Sequence, residues 1–181
     1  MNTKLKLLTF SIALFFSLSS CGQTKNNNQH QISSASNQAI DTSDYAILKF
    51  DTTEIWLFKN ATPASLTQTE IEEIEIILKQ CIAAYNPGRQ LQFDTISKAH
   101  PEYNLKVDNF VINLPRYKRQ YIAVINSAGQ KEVWVNCFCQ HFDTNWRTEI
   151  LMVEDGGNCY FNLTINLATK TYSKLSVNGE A

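Results

Sequence analysis

Apolar residues recur at three- and four-residue steps in one long part of the chain. Ile71, Ile74, Leu78, Cys81, Ile82 and Tyr85 fall on one face of a helix. Thr67-Gln68-Thr69-Glu70 opens it with the pattern of a capping box, in which the threonine oxygen and the glutamate side chain each satisfy an orphan amide. Leu66 and Ile71 are placed to form the hydrophobic staple around that cap. Asn86-Pro87-Gly88 predicts its end. Glu72, Glu73, Glu75 and Lys79 lie off the stripe and are expected in water, where such charge runs usually sit.

Elsewhere the period is two. Residues 45–50 and 55–58 read as a hairpin around Asp51-Thr52-Thr53-Glu54. Residues 104–107 and 110–114 read as short strands, the second ended by Pro115. From Tyr121 the strand signals are continuous: 121–126 and 131–140 around Ser127-Ala128-Gly129-Gln130, then 148–154 and 158–166 around Asp155-Gly156-Gly157, then 170–177. A lone amphipathic helix must bury its stripe on something flat. The expected fold is α+β: one main helix packed on an antiparallel sheet with a C-terminal strand meander, a cystatin-like outline that carries no function by itself.

Strand alternation distributes the cysteines. Val133, Val135, Cys137, Cys139 and His141 share one face; Trp134, Asn136 and Phe138 share the other. Cys159 is expected beside Phe161, Leu163 and Ile165, opposite Tyr160 and Asn162. Cys81 lies on the helical stripe, so Cys81, Cys137, Cys139 and Cys159 are all expected between helix and sheet as disulfide candidates. A Cys137–Cys139 bridge is disfavoured, because neighbours at i and i+2 in an ideal strand stand roughly 6.5–7 Å apart at Cα, the limit of disulfide reach. Avoiding it pairs Cys81 with one of the two and Cys159 with the other, which requires 131–140 and 158–166 to be adjacent strands. A strict meander would set 148–154 between them.

Two other chemistries use the same residues. Cys137, Cys139, His141 and Cys159 form a possible zinc set, though Cys-x-Cys is a weaker signal than paired Cys-x-x-Cys knuckles. Cys137 and Cys139 as a redox pair would need exposure and a cation or a helix N-terminus to stabilise the thiolate. The candidate binding surface is the opposite face, Trp134, Phe138 and Tyr160 with Asn136 and Asn162, unless Trp56 and Phe58 cover it.

Composition adds the compartment. The chain has 181 residues, 44% of them hydrophobic, and a formal net charge of −1, which argues against a nucleic-acid partner. Lys4 and Lys6 precede the apolar run 7–16, which is shorter than the ~18 residues that span a bilayer. Leu18-Ser19-Ser20-Cys21 follows and resembles the bacterial lipoprotein box, with small residues ahead of a cysteine that takes the lipid. Residues 1–20 are therefore expected to be a lipoprotein signal peptide, 21–44 a lipidated Cys21 with a flexible Asn-, Gln- and Ser-rich tether, and 45–181 a single domain. His30 falls in the tether and is expected to be inert. The four remaining cysteines, in an exported chain, read first as disulfides.

No Gly-rich phosphate loop, His-Glu-x-x-His or Gly-x-Ser-x-Gly occurs in the sequence, and no cofactor is expected. His100 stands beside Pro101 as an ordinary loop residue, and Asp155-Gly156-Gly157-Asn158 reads as a tight turn rather than a calcium loop. Arg116-Tyr117-Lys118-Arg119 reads as an exposed loop, or as a basic cluster for an anionic headgroup or polysaccharide. Asp51-Thr52-Thr53 and Asp94-Thr95-Ile96 resemble the short O-glycosylation acceptor of Bacteroidota periplasmic proteins. Asn136-Cys137-Phe138-Cys139, Asp155-Gly156-Gly157-Asn158-Cys159-Tyr160-Phe161-Asn162 and the end Ser176-Val177-Asn178-Gly179-Glu180-Ala181 resemble a lipoprotein family of that phylum. The resemblance covers about the last third of the chain. It implies a compartment and a shared fold, and no activity. The expectation is a disulfide-stabilised, palmitoylated envelope lipoprotein, on the outer membrane and facing the periplasm. It would be held to the membrane by its lipid and would bind or scaffold an envelope protein or glycan without catalysis. The alternative is a thiol redox or metal-binding protein using the Cys137/Cys139 strand.

Overall fold

The computed structural model describes residues 42–53, 56–142, 145–173 and 175–179. The expected signal peptide, Cys21 and nearly all of the expected tether lie outside the described residues. The last three tether residues, Thr42–Asp44, form a 3-10 turn that belongs to the domain. Asp44 pairs with Lys118 at 2.5 Å, and the Ser43 carbonyl accepts from Arg147 at 2.6 Å. The domain therefore begins at least three residues earlier than the composition suggests.

The fold is α+β. Helix α1 spans Gln68–Ala99. The strands are β1 (Tyr45–Leu48), β2 (Thr62–Pro63), β3 (Lys118–Ile125), β4 (Lys131–Phe138), β5 (Tyr160–Asn166), β6 (Thr171–Tyr172) and β7 (Ser176–Val177). They form one sheet in the order β1-β3-β4-β5-β6. β2 shares the outer edge of β3 with β1, and β7 pairs with β5 alongside β6. β3, β4 and β5 are an antiparallel meander, but β1 is parallel to β3, so the sheet is mixed.

The capping box forms as read: Glu70 N–H donates to the Thr67 hydroxyl, and Thr67 N–H donates to the Glu70 carboxylate at 2.8 Å. Lys131 reaches the same carboxylate at 2.5 Å. That contact, more than the cap, holds the Glu70 carboxyl below its ordinary range. The stripe Ile71, Ile74, Leu78, Cys81 and Ile82 is buried on one face of the sheet, against Tyr121, Val133, Val135, Cys137, Phe161, Leu163 and Ile165.

α1 does not end at Pro87; it continues to Ala99. A proline inside a helix removes one hydrogen bond and crowds the preceding turn. Tertiary contacts offset that cost. The Asn86 amide donates to the Ile112 carbonyl and accepts from the Ile112 N–H, both at 2.9 Å. Arg89 lies over the Phe110 ring at 5.6 Å, and Phe93 meets the same ring edge-on at 5.4 Å. Residues 104–114, read as strands, are instead irregular chain with 3-10 turns that brace the far half of the helix.

The other face of the sheet is also covered. Ala46, Leu48, Phe50, Phe58, Ile122, Val124, Trp134, Phe138, Trp146 and Tyr160 form a second core. The expected hairpin at 45–58 does not form among the described residues: β1 pairs with β3, and 56–58 carry no strand, with Leu57 and Phe58 packed on this face. Asp51 Oδ1 accepts from Thr53 N–H and Oγ1 in a local turn, Phe50 meets Phe58 edge-on, and Trp56 meets Trp134 edge-on.

The expected strand at 148–154 is absent too, and two buried amides explain it. Gln120 donates to the carbonyls of Trp146 and Glu149, and its oxygen accepts from Leu151 N–H and from Asn136. Asn136 donates in turn to the Leu151 carbonyl at 2.8 Å. These side chains satisfy backbone groups that a ladder would otherwise pair, so this segment lies across the sheet instead of inside it. β4 and β5 are left as direct neighbours.

Candidate functional site

Cys139 and Cys159 form a disulfide, with Cα atoms 5.0 Å apart. It lies past the ends of both strands: Cys139 follows β4, and Cys159 closes the 3-10 turn Gly157–Cys159 before β5. The Cys139 N–H also donates to the Cys159 carbonyl at 2.9 Å. Strand alternation correctly puts Val133, Val135 and Cys137 on the helix side and Trp134 and Phe138 on the other. It does not extend to Cys159, which packs against the second core because its residue is in a turn. The expectation that all four cysteines share one layer is therefore corrected. Cys81 and Cys137 remain free and buried between helix and sheet. Burial pushes both thiols up, Cys137 the further.

The two chemistries built on Cys137 and Cys139 are corrected as well. Cys139 and Cys159 are spent in the disulfide, so the set Cys137, Cys139, His141 and Cys159 has no two free thiolates to offer a metal. No group of three or more metal-ligating side chains occurs among the described residues. Cys137 is buried and its thiol is held protonated, the opposite of what a redox nucleophile needs. In the full chain, alkylating reagent is expected to leave Cys81 and Cys137 unmodified under native conditions. It should label both once the chain is unfolded without reductant, and Cys139 and Cys159 only after reduction. Intact mass at the three stages checks this.

Trp134, Phe138 and Tyr160 do not form an open binding surface. They are 5%, 0% and 7% exposed beneath the second core, where Trp56 and Phe58 also pack. The basic run at 116–119 is not a patch either. Arg116 pairs with Asp108 at 2.7 Å, Lys118 with Asp44, and Arg119 is buried against Glu75. Glu75, read as a solvent-facing residue of α1, is the carboxylate in that buried pair.

A cleft of about 450 Å³ opens over the disulfide. Three segments build it: 108–117, 139–142 and 153–160. Asn158 ties the first to the third. Its amide donates to the carbonyls of Asp108 and Val111, both at 3.0 Å, and its own carbonyl accepts from the Tyr117 hydroxyl at 2.8 Å. Burial raises the Tyr117 phenol to about 12, so it remains a donor across the physiological range. Gly156 and Gly157 carry φ of 85° and 58°, the left-handed region that glycine enters freely. A Cβ at Gly156 would stand 2.6 Å from the Tyr160 ring. The tight turn read at 155–158 is thus present, and it serves as one wall of the cleft.

The lining combines Asn109, Asn113 and Gln140 with Tyr117, Phe142 and Tyr160, and with the charged groups Asp108, Arg116 and Asp155. Phe142 is 70% exposed at the rim with φ of 44°, an unusual conformation for a bulky residue. The Tyr160 hydroxyl is buried and has no hydrogen-bond partner in the structure. Burial, and then the Asp155 carboxylate, raise its phenol above the ordinary range. Sequence reading gives Asn109, Asn113, Gln140 and Phe142 no role: Asn113 and Gln140 fall in runs read as strands, Asn109 and Phe142 fall in no periodic run, and all four lie outside the helix and strands of the fold. The two glycines and Asn158 were the only local signal that this region is shaped. No helix among the described residues is long and apolar enough to cross a membrane. Comparison of the chain with protein-family models, curated proteins and solved structures gives no match.

Proposed function

We propose that the protein is a lipid-anchored domain of the bacterial cell envelope that binds a ligand in the cleft over its disulfide, without catalysis. The observation that carries this reading is the Cys139–Cys159 bond. Disulfides persist in exported proteins and are rare in the reducing cytosol. The bond is independent of the N-terminal pattern Lys4, Lys6, apolar 7–16 and Leu18-Ser19-Ser20-Cys21, and both point to export. In this reading the acyl groups on Cys21 hold the chain to the outer membrane, residues 22–41 act as a tether, and the domain faces the periplasm. The binding role is supported by the cleft, whose volume lies within the roughly 300–1,000 Å³ of ligand sites and which combines aromatic rings with a few polar groups.

The anchoring is tested by growth with an alkyne fatty acid followed by click labelling. The wild-type chain is expected to carry label, and a lipoprotein-peptidase inhibitor to accumulate a precursor longer by the signal peptide. Cys21→Ala is expected to lose both responses. An unlabelled wild-type chain, or one whose N-terminus is cut elsewhere, overturns the anchor.

A further inference from the structure

We infer that the ligand of this cleft is an uncharged, hydroxyl-rich saccharide of one or two rings; this rests on the reading of the cleft as the domain's binding site. Asn109, Asn113 and Gln140 are exposed in the lining of the cleft, and their side chains have no hydrogen-bond partner among the described residues. A carboxamide both donates and accepts. Three of them around one cavity suit a ligand whose groups also do both, and hydroxyls are the common case.

The charges select against acidic ligands. Arg116 is neutralised by Asp108 at 2.7 Å, which leaves Asp155 as the uncompensated charge of the lining. A phosphate or carboxylate would meet a carboxylate and no free cation. Phe142 completes the set: an exposed ring at the rim offers a flat apolar face to the C–H face of a pyranose. Amides for the ligand's edges, together with a ring for its face, are elements of saccharide recognition. The disulfide keeps two of the three walls, at 139 and 159, in fixed register.

The test uses the full chain in a non-glycosidic detergent. Cellobiose, mannobiose and di-N-acetylchitobiose serve as neutral probes, digalacturonate as the acidic probe, and Gly-Gly as the peptide probe. Binding is read by saturation-transfer NMR and by titration of intrinsic fluorescence. At least one neutral disaccharide is expected to bind with a dissociation constant in the millimolar range or tighter. Phe142→Ala is expected to weaken it about tenfold, the loss of one aromatic contact of about 1.4 kcal/mol. Asn113→Ala removes one exposed carboxamide of the lining. It is expected to weaken the sugar without lowering the melting temperature, whereas a merely structural role would leave binding unchanged. If digalacturonate or Gly-Gly binds and the neutral sugars do not, and Phe142→Ala abolishes that binding, the cleft stands as the site and the ligand class is overturned. If none of the five probes binds, the cleft reading and the inference both fall.

Discussion

Arg119→Ala is expected to cost the domain about 3–5 kcal/mol, the largest effect of any single polar substitution described here. Arg119 and Glu75 are both over nine-tenths buried, between α1 and the sheet. Their contact is Nε to Oε1 at 2.9 Å, too poorly aligned to count as a directed hydrogen bond, so it is an ionic one. The guanidinium spends its other donors on the carbonyls of Tyr117 and Leu114, and Glu75 accepts from the Tyr121 hydroxyl. Removing the cation leaves a buried carboxylate with the Tyr121 hydroxyl and no counter-charge. The double variant Glu75→Leu/Arg119→Met is expected to recover most of the loss, because an apolar pair of similar volume avoids the desolvation of both charges. Urea denaturation of the two singles and the double checks this. If the double is as unstable as Arg119→Ala alone, the stranded-charge account is wrong.

The second large effect is loss of the disulfide. Cys139→Ala/Cys159→Ala is expected to lower stability by about 3 kcal/mol, since the bond closes a loop of 20 residues and restrains the unfolded chain accordingly. In a domain of this size that corresponds to a fall of roughly 10 °C in melting temperature. Reductant is expected to produce the same shift in the wild type and none in the variant. The free pair Cys81 and Cys137 supplies the contrast. Cys137→Ala removes a small, fully buried side chain from a packed core but keeps the Cys139–Cys159 bond, and should show the same reductant-induced shift as the wild type. A reductant-induced shift that persists in the Cys139/Cys159 variant would mean that a different pair is bonded.

The two halves of α1 separate what the sequence makes legible from what it hides. Its start is local: Thr67 and Glu70 are three residues apart, and the pattern alone identifies both partners. Its continuation past Pro87 depends on Ile112, 26 residues away, and on Phe110. No window around Asn86-Pro87-Gly88 contains that information. Strands divide in the same way. Alternation correctly sorts Val133, Val135 and Cys137 from Trp134 and Phe138, because it is a property of the strand itself. It fails at Cys159, one residue outside the strand, and at 148–154, whose hydrogen bonds go to Gln120 and Asn136 instead of a ladder. Adjacency of β4 and β5 was the condition set by the sequence for pairing Cys159 with a cysteine of the 137–139 stretch. It is met because those two amides keep the intervening segment out of the sheet. The cleft was the least legible part, since loops from three regions meet there only after the sheet is assembled.

Strand β1 has a consequence for the order of assembly. It pairs with β3 in parallel, Tyr45 opposite Arg119, and the whole of α1 lies between them in the chain. The meander from β3 to β5 closes through a short turn and one disulfide-spanned loop, but β1 cannot dock until more than seventy residues have been drawn in. Contacts of such high sequence separation are formed late, because the loop entropy is lost before they reward it. When the chain is threaded out N-terminus first, Ala46, Leu48 and Phe50 emerge well ahead of the strand that will shelter them. The interval between the appearance of β1 and that of β3 is therefore when this domain is most exposed to strand-to-strand aggregation, and when a holding chaperone would have the most to grip.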